Sequence, residues 1–468
     1  MLRDRYAPVD LFALAPALAL EFEPVLARLD ALLDDDVLFR AVRDDLARRS
    51  PRTCQTGRPS TPVEVILRML IVRRLYGWSY AEAERFVGDS LVLRQFCRLG
   101  LERAPDDTTL LRWANLIQPA TLDGLLDHVV ALARRLKVTR GRKLRVDSTV
   151  VETTVRHPTD SGLLADGVRM LGRLARRARP LVGEALGGVR DAFRTRTRSA
   201  RGHLQRIHRL ARKKGEQAAA EQRDAYARLC GVARTVVRQA ERIRAALVDA
   251  AAAPTGRERT AGRLVEELDR LVPLARRVID QAERRVLRGE AVPAGEKVLS
   301  LVEPHTTIIS RRKPGKKVEC GRKLWLAEAD GGIVTDARVL IGAPPDAPEV
   351  APSLARHERQ FGRPPRLLTA DRGCSTADVR REAATAGVHR VALPHTGPPT
   401  AASRARERER WFRRGYRWRS GIEGRIGVLR RVYGLGRCLE HGSDGLERWV
   451  GLGILTANLV TIARATAA

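Results

Sequence analysis

Between Pro62 and Ile117 the apolar positions recur at helical spacing. The run PVEVILRMLIVRRLY is broken by Gly77, and SYAEAERFVGD opens a second helix with Ser79 in the N-cap position. A third run, DDTTLLRWANLI, starts with acids and threonines suited to a cap, so the pattern predicts compact helices joined by tight turns, a helix-turn-helix-like series. Small helical bundles give the same pattern without touching DNA, and the periodicity leaves both readings open.

The period then changes. Lys143–Asp147 (KLRVD) and the stretch Arg145–Val155 (RVDSTVVETTV) are rich in Val and Thr and predict a strand. Helical patterns resume directly afterwards and continue through about Arg288. Val318–Glu328 and Ile333–Ile341 read as two antiparallel strands joined by the hairpin signal ADGG at Ala329–Gly332. A turn-rich Gly342–Pro352 follows, then a helix over Ser353–Phe361, a strand at Leu367–Thr369, a helix over Ser375–Ala386, a strand at Val388–Leu393 and a basic helical stretch, RWRSGIEGRIGVLRR. The order predicts a mixed α/β domain interrupted after its first strand by a long helical insert, and preceded by an all-helical N-terminal domain. The expected divisions are a helical segment at 1–50, a helix-turn-helix-like domain at 51–135, an α/β domain at 140–159 and 300–460, and the insert at 160–299.

Composition changes this picture in one respect. A chain of 468 residues with 44% hydrophobic content can bury one large core or several smaller ones. Its 86 Lys and Arg against 55 Asp and Glu leave a formal charge of +31, which favours phosphate backbones as partners. A GC-rich genome also enriches arginine and alanine, but does not by itself leave so large an excess over acids. From Arg169 to Arg244 there are 21 basic and 6 acidic residues, a local +15 that reads either as a solvated helical face or, better, as a phosphate-tracking arm. The apolar run Leu11–Leu20 is short, holds Pro16 and has acids on both sides, so neither a membrane span nor a secretory signal is expected. The six cysteines are scattered without a CxxC pair, against a zinc ribbon or disulfide scaffold.

The candidate chemistry rests on three acids. Asp147 and Asp371 each end a β-like segment, and Glu423 lies among Arg417, Arg419, Arg425, Arg430 and Arg431. Singly, an aspartate at a strand end usually just starts a turn. Together, the three supply the few hard oxygen ligands on rigid supports that a two-metal phosphoryl-transfer site needs. Ser148 and Cys374 adjoin these acids without a neighbouring histidine in sequence, which disfavours a covalent nucleophile. Glu152, five residues along the strand, faces the other side. Trp325, Phe361 and Trp449 read as core, Trp411 and Trp418 as aromatic platforms among arginines, and His305 and His441 as structural.

Tyr416, two residues, Arg419, three residues, Glu423, six residues, Arg430: this spacing resembles the Y-R-E-K signature of DDE insertion-sequence transposases, with Arg430 where the family has lysine. Asp147 in RVDSTVVETTV and Asp371 in TADRGCSTADV resemble the first two acids of the same family, and Pro51–Ile117 resembles its N-terminal helical domain. The resemblance implies an RNase H-like α/β catalytic domain, a pair of Mg²⁺ or Mn²⁺ ions held by Asp147, Asp371 and Glu423, and DNA contacts from Tyr416, Arg419 and Arg430, with Trp418 and Arg425 beside them. It further implies cleavage and strand transfer at terminal inverted repeats, target DNA as second partner, a homodimer assembled on DNA, and a cytoplasmic, nucleoid-associated protein with no membrane partner. Arginine for lysine keeps the charge and changes its geometry from a point to a planar fork. A non-catalytic DNA-binding protein derived from a transposase is the alternative expectation, and a nuclease of the same fold a third.

Overall fold

The computed structural model describes residues 1–6, 22–155, 158–187, 189, 191–252, 257–310, 318–398 and 400–467; the run Leu11–Leu20 lies outside them. The chain divides into two compact units, Met1–Thr153 with Arg322–Ala468, and Thr154–Gly321.

Among the described residues the first unit opens with seven helices: α1 (Pro24–Leu33), α2 (Asp36–Ala47), α3 (Val63–Tyr76), α4 (Tyr80–Asp89), α5 (Leu91–Phe96), α6 (Asp107–Ala114) and α7 (Pro119–Arg135). Their ends follow the local chemistry. Gly77 closes α3 in the left-handed region at φ 69°. Ser79 and Glu82 form a reciprocal capping box on α4, and Asp106 caps α6 through the Thr109 N–H. The helical spacing expected of α3 holds, but the helix has no solvent-facing side over most of its length, because Val63 through Arg74 are all buried. Two of its arginines are hydrogen-bonded there and the third is stacked: Arg68 donates to Asp30 (2.6 Å), Asp34 and the Phe96 carbonyl, Arg74 to the Trp449 carbonyl (2.7 Å) while lying 3.5 Å from the Trp449 ring, and Arg73 lies 3.7 Å from the Tyr80 ring. The helix is a central strut of the core.

The sheet strands of this unit are β1 (Lys143–Glu152), the greater part of β3 (Val318–Ala329), β4 (Val334–Val339), β5 (Leu367–Thr369) and β6 (Arg390–Ala392). Neighbours run β3-β1-β5-β6, with β4 paired outside β3. β3 and β4 are antiparallel, while β1, β5 and β6 are parallel. The hairpin signal is realised at Asp330–Gly332, where Gly331 (φ 81°) packs so close that a Cβ would lie 2.1 Å from the Val138 carbonyl oxygen. Asp330 at this tip accepts the backbone N–H groups of Arg140, Arg142 and Lys143, which fixes where β1 begins.

Alternation along the strands divides the side chains between two cores. Leu144, Val146, Trp325, Ala327 and Leu368 face α12 (Val350–Phe361) and α13 (Ala377–Thr385). Val151, Leu324 and Leu326 join the core built by the N-terminal helices and α16 (Gly442–Ala467). The helix α16 is long and apolar enough to cross a membrane, yet most of its apolar window is buried in this core. Two further helices, α14 (Ala401–Arg408) and α15 (Arg410–Arg431), precede it.

The second unit holds α8 (Asp160–Val182), α9 (Thr197–Leu210), α10 (Glu216–Ala252) and α11 (Glu258–Ala282), then a π-helical turn and β2 (Thr307–Ser310), which pairs antiparallel with Val318–Gly321. Its basic sequence conceals an apolar core of its own, with Leu164, Leu171, Leu229, Ile243, Leu264 and Leu271 buried. Asp160, also buried, is held by Gln281 (2.7 Å) and Arg285 (2.7 Å).

Candidate active site

The site is assembled by register and helical period. β1 and β5 are parallel neighbours, with Lys143 opposite Leu367 and Arg145 opposite Thr369. Two residues beyond these pairs (145 + 2 and 369 + 2) come Asp147 and Asp371, so the register carries both acids past the paired stretch in the same direction; Asp371 follows the end of β5 as expected, whereas Asp147 lies in the middle of β1, which runs on to Glu152, and does not end its strand. Lys143, Arg145, Asp147 and Thr149 share one face of β1, the face opposite Leu144 and Val146. Against it lies α15, whose Tyr416, Arg419, Glu423 and Arg430 are separated by 3, 4 and 7 residues and form one helical stripe. Glycines permit the approach. A Cβ at Gly415 would come within 3.0 Å of Ala392 Cβ, and one at Gly421 within 2.4 Å of Arg145 Nη1.

Arg419 ties the helix to the strand. Its Nη2 donates to Asp147 Oδ2 (3.1 Å) and its Nη1 to Glu423 Oε1 (3.3 Å). Arg430 Nη1 reaches Thr149 Oγ1 at 3.4 Å. Asp147 is only 14% exposed, whereas Glu423 is 69% exposed and joins the aspartate through Arg419. Burial pushes the Asp147 carboxyl up to about 6. The Ser148 N–H (2.8 Å to Oδ1) and Arg419 oppose that rise, and the like charges of Asp371 and Asp346 add to it.

Asp346 is the acid the sequence did not single out. It sits in the turn-rich GAPPDAPEV, accepts the Ser148 hydroxyl (3.0 Å) and is paired with Lys323 (2.8 Å). The only signal for it is an acid ahead of a helical start. Burial and the surrounding charges of Asp371, Asp346 and Asp147 push the Cys374 thiol far up, so it stays a neutral packing group. The Asp371 side chain accepts from the Cys374 backbone N–H (3.3 Å), which closes the turn after β5. Among the described residues no three Asp, Glu, His or Cys side chains already stand in a metal-binding cluster.

The remaining expected contacts fall into two groups. Tyr416 is at the surface, stacked on Phe412 with centroids 6.5 Å apart, and remains accessible. Trp418 is engaged internally: its carbonyl accepts Arg145 Nη1 (2.6 Å), and its ring lies 4.8 Å from the Arg145 guanidinium and 5.6 Å from Lys143. Arg425 donates to the Gly332 carbonyl (2.6 Å) and to Glu328 (3.4 Å). Glu328, an acid inside the apolar run LWLAEA, is buried and also takes Arg145 through two hydrogen bonds (3.0 and 2.9 Å). Trp411 lies between Arg390 and Arg406, and Glu152 pairs with Arg437 (2.9 Å). Trp325 and Trp449 are buried, their indole N–H groups bonded to Ser353 and the Gly434 carbonyl, and Phe361 is buried against His357. His305 lies 3.5 Å from Glu303 in the second unit.

Residues 19–116 match the family described as Transposase domain (DUF772). This span of 98 residues (116 − 19 + 1) covers α1 to α6 and leaves the acids of the site outside it. No curated protein and no solved structure matches the chain.

Proposed function

We propose that the chain is a DDE-type DNA transposase in which Asp147, Asp371 and Glu423 serve metal-dependent cleavage and strand transfer at the terminal inverted repeats of an insertion sequence. The observation that carries the reading is the register of the parallel neighbours β1 and β5, in which Asp147 and Asp371 each follow the paired Arg145 and Thr369 by two residues, under a helix whose single stripe presents Tyr416, Arg419, Glu423 and Arg430. The transposase domain at residues 19–116 supports the same activity class. The order β4-β3-β1-β5-β6, antiparallel between β3 and β4 and parallel from β1 to β6, supports an RNase H-like catalytic domain into which the helical unit is inserted.

The donor set fits hard divalent cations. Its ligands are carboxylate oxygens, and the raised Asp147 marks a place where negative charge is short of compensation. Asp147 and Asp371 would hold Mg²⁺ or Mn²⁺, with Glu423 joining once Arg419 releases it. A bound pair of such ions supplies an activated water or 3′-hydroxyl and stabilises the leaving oxygen of an in-line displacement. The chain's own part is to position and neutralise. Arg419 is the counter-charge of two carboxylates and becomes available to a DNA phosphate when cations replace it. Arg430 and the exposed Tyr416 flank the same stripe and hold the strand beside the acids. A homodimer on paired DNA ends and a cytoplasmic location belong to this reading.

The bridging of Asp147 and Glu423 by Arg419 favours a second reading, a DNA-binding derivative in which that ion pair is permanent. One experiment separates them. Purified protein is expected to nick and join DNA carrying the matched ends of its element only with Mg²⁺ or Mn²⁺, and Asp147→Ala is expected to abolish both steps while DNA binding persists. Cleavage that survives in Asp147→Ala refutes the assignment, and binding without any cleavage by the unaltered chain selects the second reading.

A further inference from the structure

Charge in the inserted unit is not spread evenly. From Ala192 to Gly215 the sequence has nine Lys and Arg and no Asp or Glu. This stretch is α9 and its flanks. One side of the helix, Ala200, Ile207 and Leu210, is buried. On the opposite side Arg198, Arg201 and Arg209 stand exposed at positions i, i+3 and i+11, a single stripe, and exposed Arg212, Lys213 and Lys214 continue it past the helix end. Among the described residues none of these six has a carboxylate partner. Other basic residues nearby do: Arg194 and Arg196 share Asp191 (3.5 Å each), and Arg206 reaches Glu221 (3.8 Å). On α10 and α11 the charges interleave, with Arg228 on Asp224, Arg244 on Asp269 and Arg276 on Glu241. Evolution of a merely solvated face gives the α10 and α11 pattern. On α9 it leaves like charges beside one another with nothing to offset their repulsion.

We infer that this face of α9 binds the phosphate backbone of duplex DNA, as a contact separate from the carboxylate site; the choice of DNA rests on the transposase reading. The 14-residue helix is about 21 Å long, enough to run beside about six base pairs. Arginine dominates the row, and its planar fork takes phosphate oxygens two at a time. An anionic membrane would also attract the charge. The apolar side of α9 is already used in the unit's core, so the helix has no face left to insert into lipid, and this disfavours a membrane surface.

The full-length chain carries the test, without divalent cations and in an Asp147→Asn background so that no cleavage intervenes. Binding to a 30-base-pair duplex is followed by fluorescence anisotropy from low to moderate salt. Replacing Arg198, Arg201, Arg209 and Arg212 with Gln is expected to weaken binding at least tenfold at 0.1 M salt and to reduce the slope of log K against log[salt] by about 3.6, at about 0.9 per lost phosphate contact. The matching Lys replacements are expected to restore most of the slope. Gln at Arg259, Arg263 and Arg270 of α11, which lie among acids, is expected to change it little. Circular dichroism checks that helix content is kept. Equal losses from the α9 and α11 variants, or an unchanged slope in the α9 variant, overturn the inference, as does tighter binding to phosphatidylserine vesicles than to DNA. Loss of catalysis by the unaltered chain bears on the carboxylate site alone and leaves this outcome readable.

Discussion

Replacing Asp147 with Asn should make the protein more stable at alkaline pH and leave it nearly unchanged in acid. The carboxyl titrates at about 6 in the fold, against an ordinary 3.8. That gap corresponds to about 3 kcal/mol. The sign follows from the direction: a carboxyl raised in the folded state favours folding while it is protonated, below about pH 4, and the contribution is lost as pH rises through about 6. Asn does not titrate, so its advantage over Asp147 should grow by about 3 kcal/mol between pH 4 and pH 8 in the absence of divalent cations. Urea unfolding read by tryptophan fluorescence isolates the relevant unit, because all six tryptophans, Trp78, Trp113, Trp325, Trp411, Trp418 and Trp449, lie in it. With a urea slope of about 3 kcal/mol per molar, the midpoint difference between the two proteins should widen by about 1 M over that range. A cation that binds the ionised carboxylate should reverse the trend in the unaltered chain alone, since a ligand of the folded state stabilises it. A midpoint difference that stays constant with pH, or that favours Asp147 at pH 8 without cations, refutes the reasoning.

Three further outcomes follow from the same structure. Arg68→Ala removes the buried one of the two arginines that Asp30, Asp34 and Glu64 share and leaves them Arg98, so the unfolding free energy of the first unit should fall by about 2–3 kcal/mol in the same urea assay. Gly331→Ala drives a methyl group toward the Val138 carbonyl oxygen at a positive φ, so it should destabilise by at least about 2 kcal/mol, while Ala at Gly342, where the neighbouring space is open, should cost about 1 kcal/mol. The Cys374 thiol, buried and ringed by three carboxylates, should resist iodoacetamide in the native protein at pH 8 while exposed Cys54 reacts, as read by mass spectrometry of the labelled peptides.

Much of the framework was legible wherever one local rule acts alone. Gly77, Ser79 and Asp106 mark helix ends because capping depends on a few adjacent residues, and ADGG marks its hairpin because only glycine meets the positive φ there. The strand carrying Asp147 begins and ends close to its predicted limits, at Lys143 and Glu152. The helix α3 was harder, since its arginines imitate a polar face until Asp30, Asp34 and the Trp449 carbonyl, distant in sequence, are seen to receive them. The insert presents the same difficulty on a larger scale, because its frequent arginines obscure the leucine and valine stripes that form its core. In the candidate site, residue types, spacing and the resemblance singled out Asp147, Asp371, Arg419, Glu423 and Arg430, of which Arg419 stands hydrogen-bonded to Asp147 and Glu423, and Arg430 to Thr149. They did not identify partners. Trp418 and Arg425 look alike in sequence to surface groups, and their engagement with Arg145, Glu328 and Gly332 follows from strand register that no local pattern encodes. Asp346 escaped notice for the same reason, as its approach to Ser148 depends on how the turn after β4 folds back.

The claim on which the account depends is that Asp147 and Asp371 belong to one divalent-cation site. Crystals equilibrated with Mn²⁺ at pH 8 and measured at the manganese absorption edge locate the ion by its anomalous scattering. A peak is expected within ligand distance, about 2.0–2.3 Å, of a carboxylate oxygen from each aspartate, and is expected to be absent in Asp147→Asn crystals treated alike. Manganese bound elsewhere, with the Asp147 and Asp371 carboxylates free of it, contradicts the account.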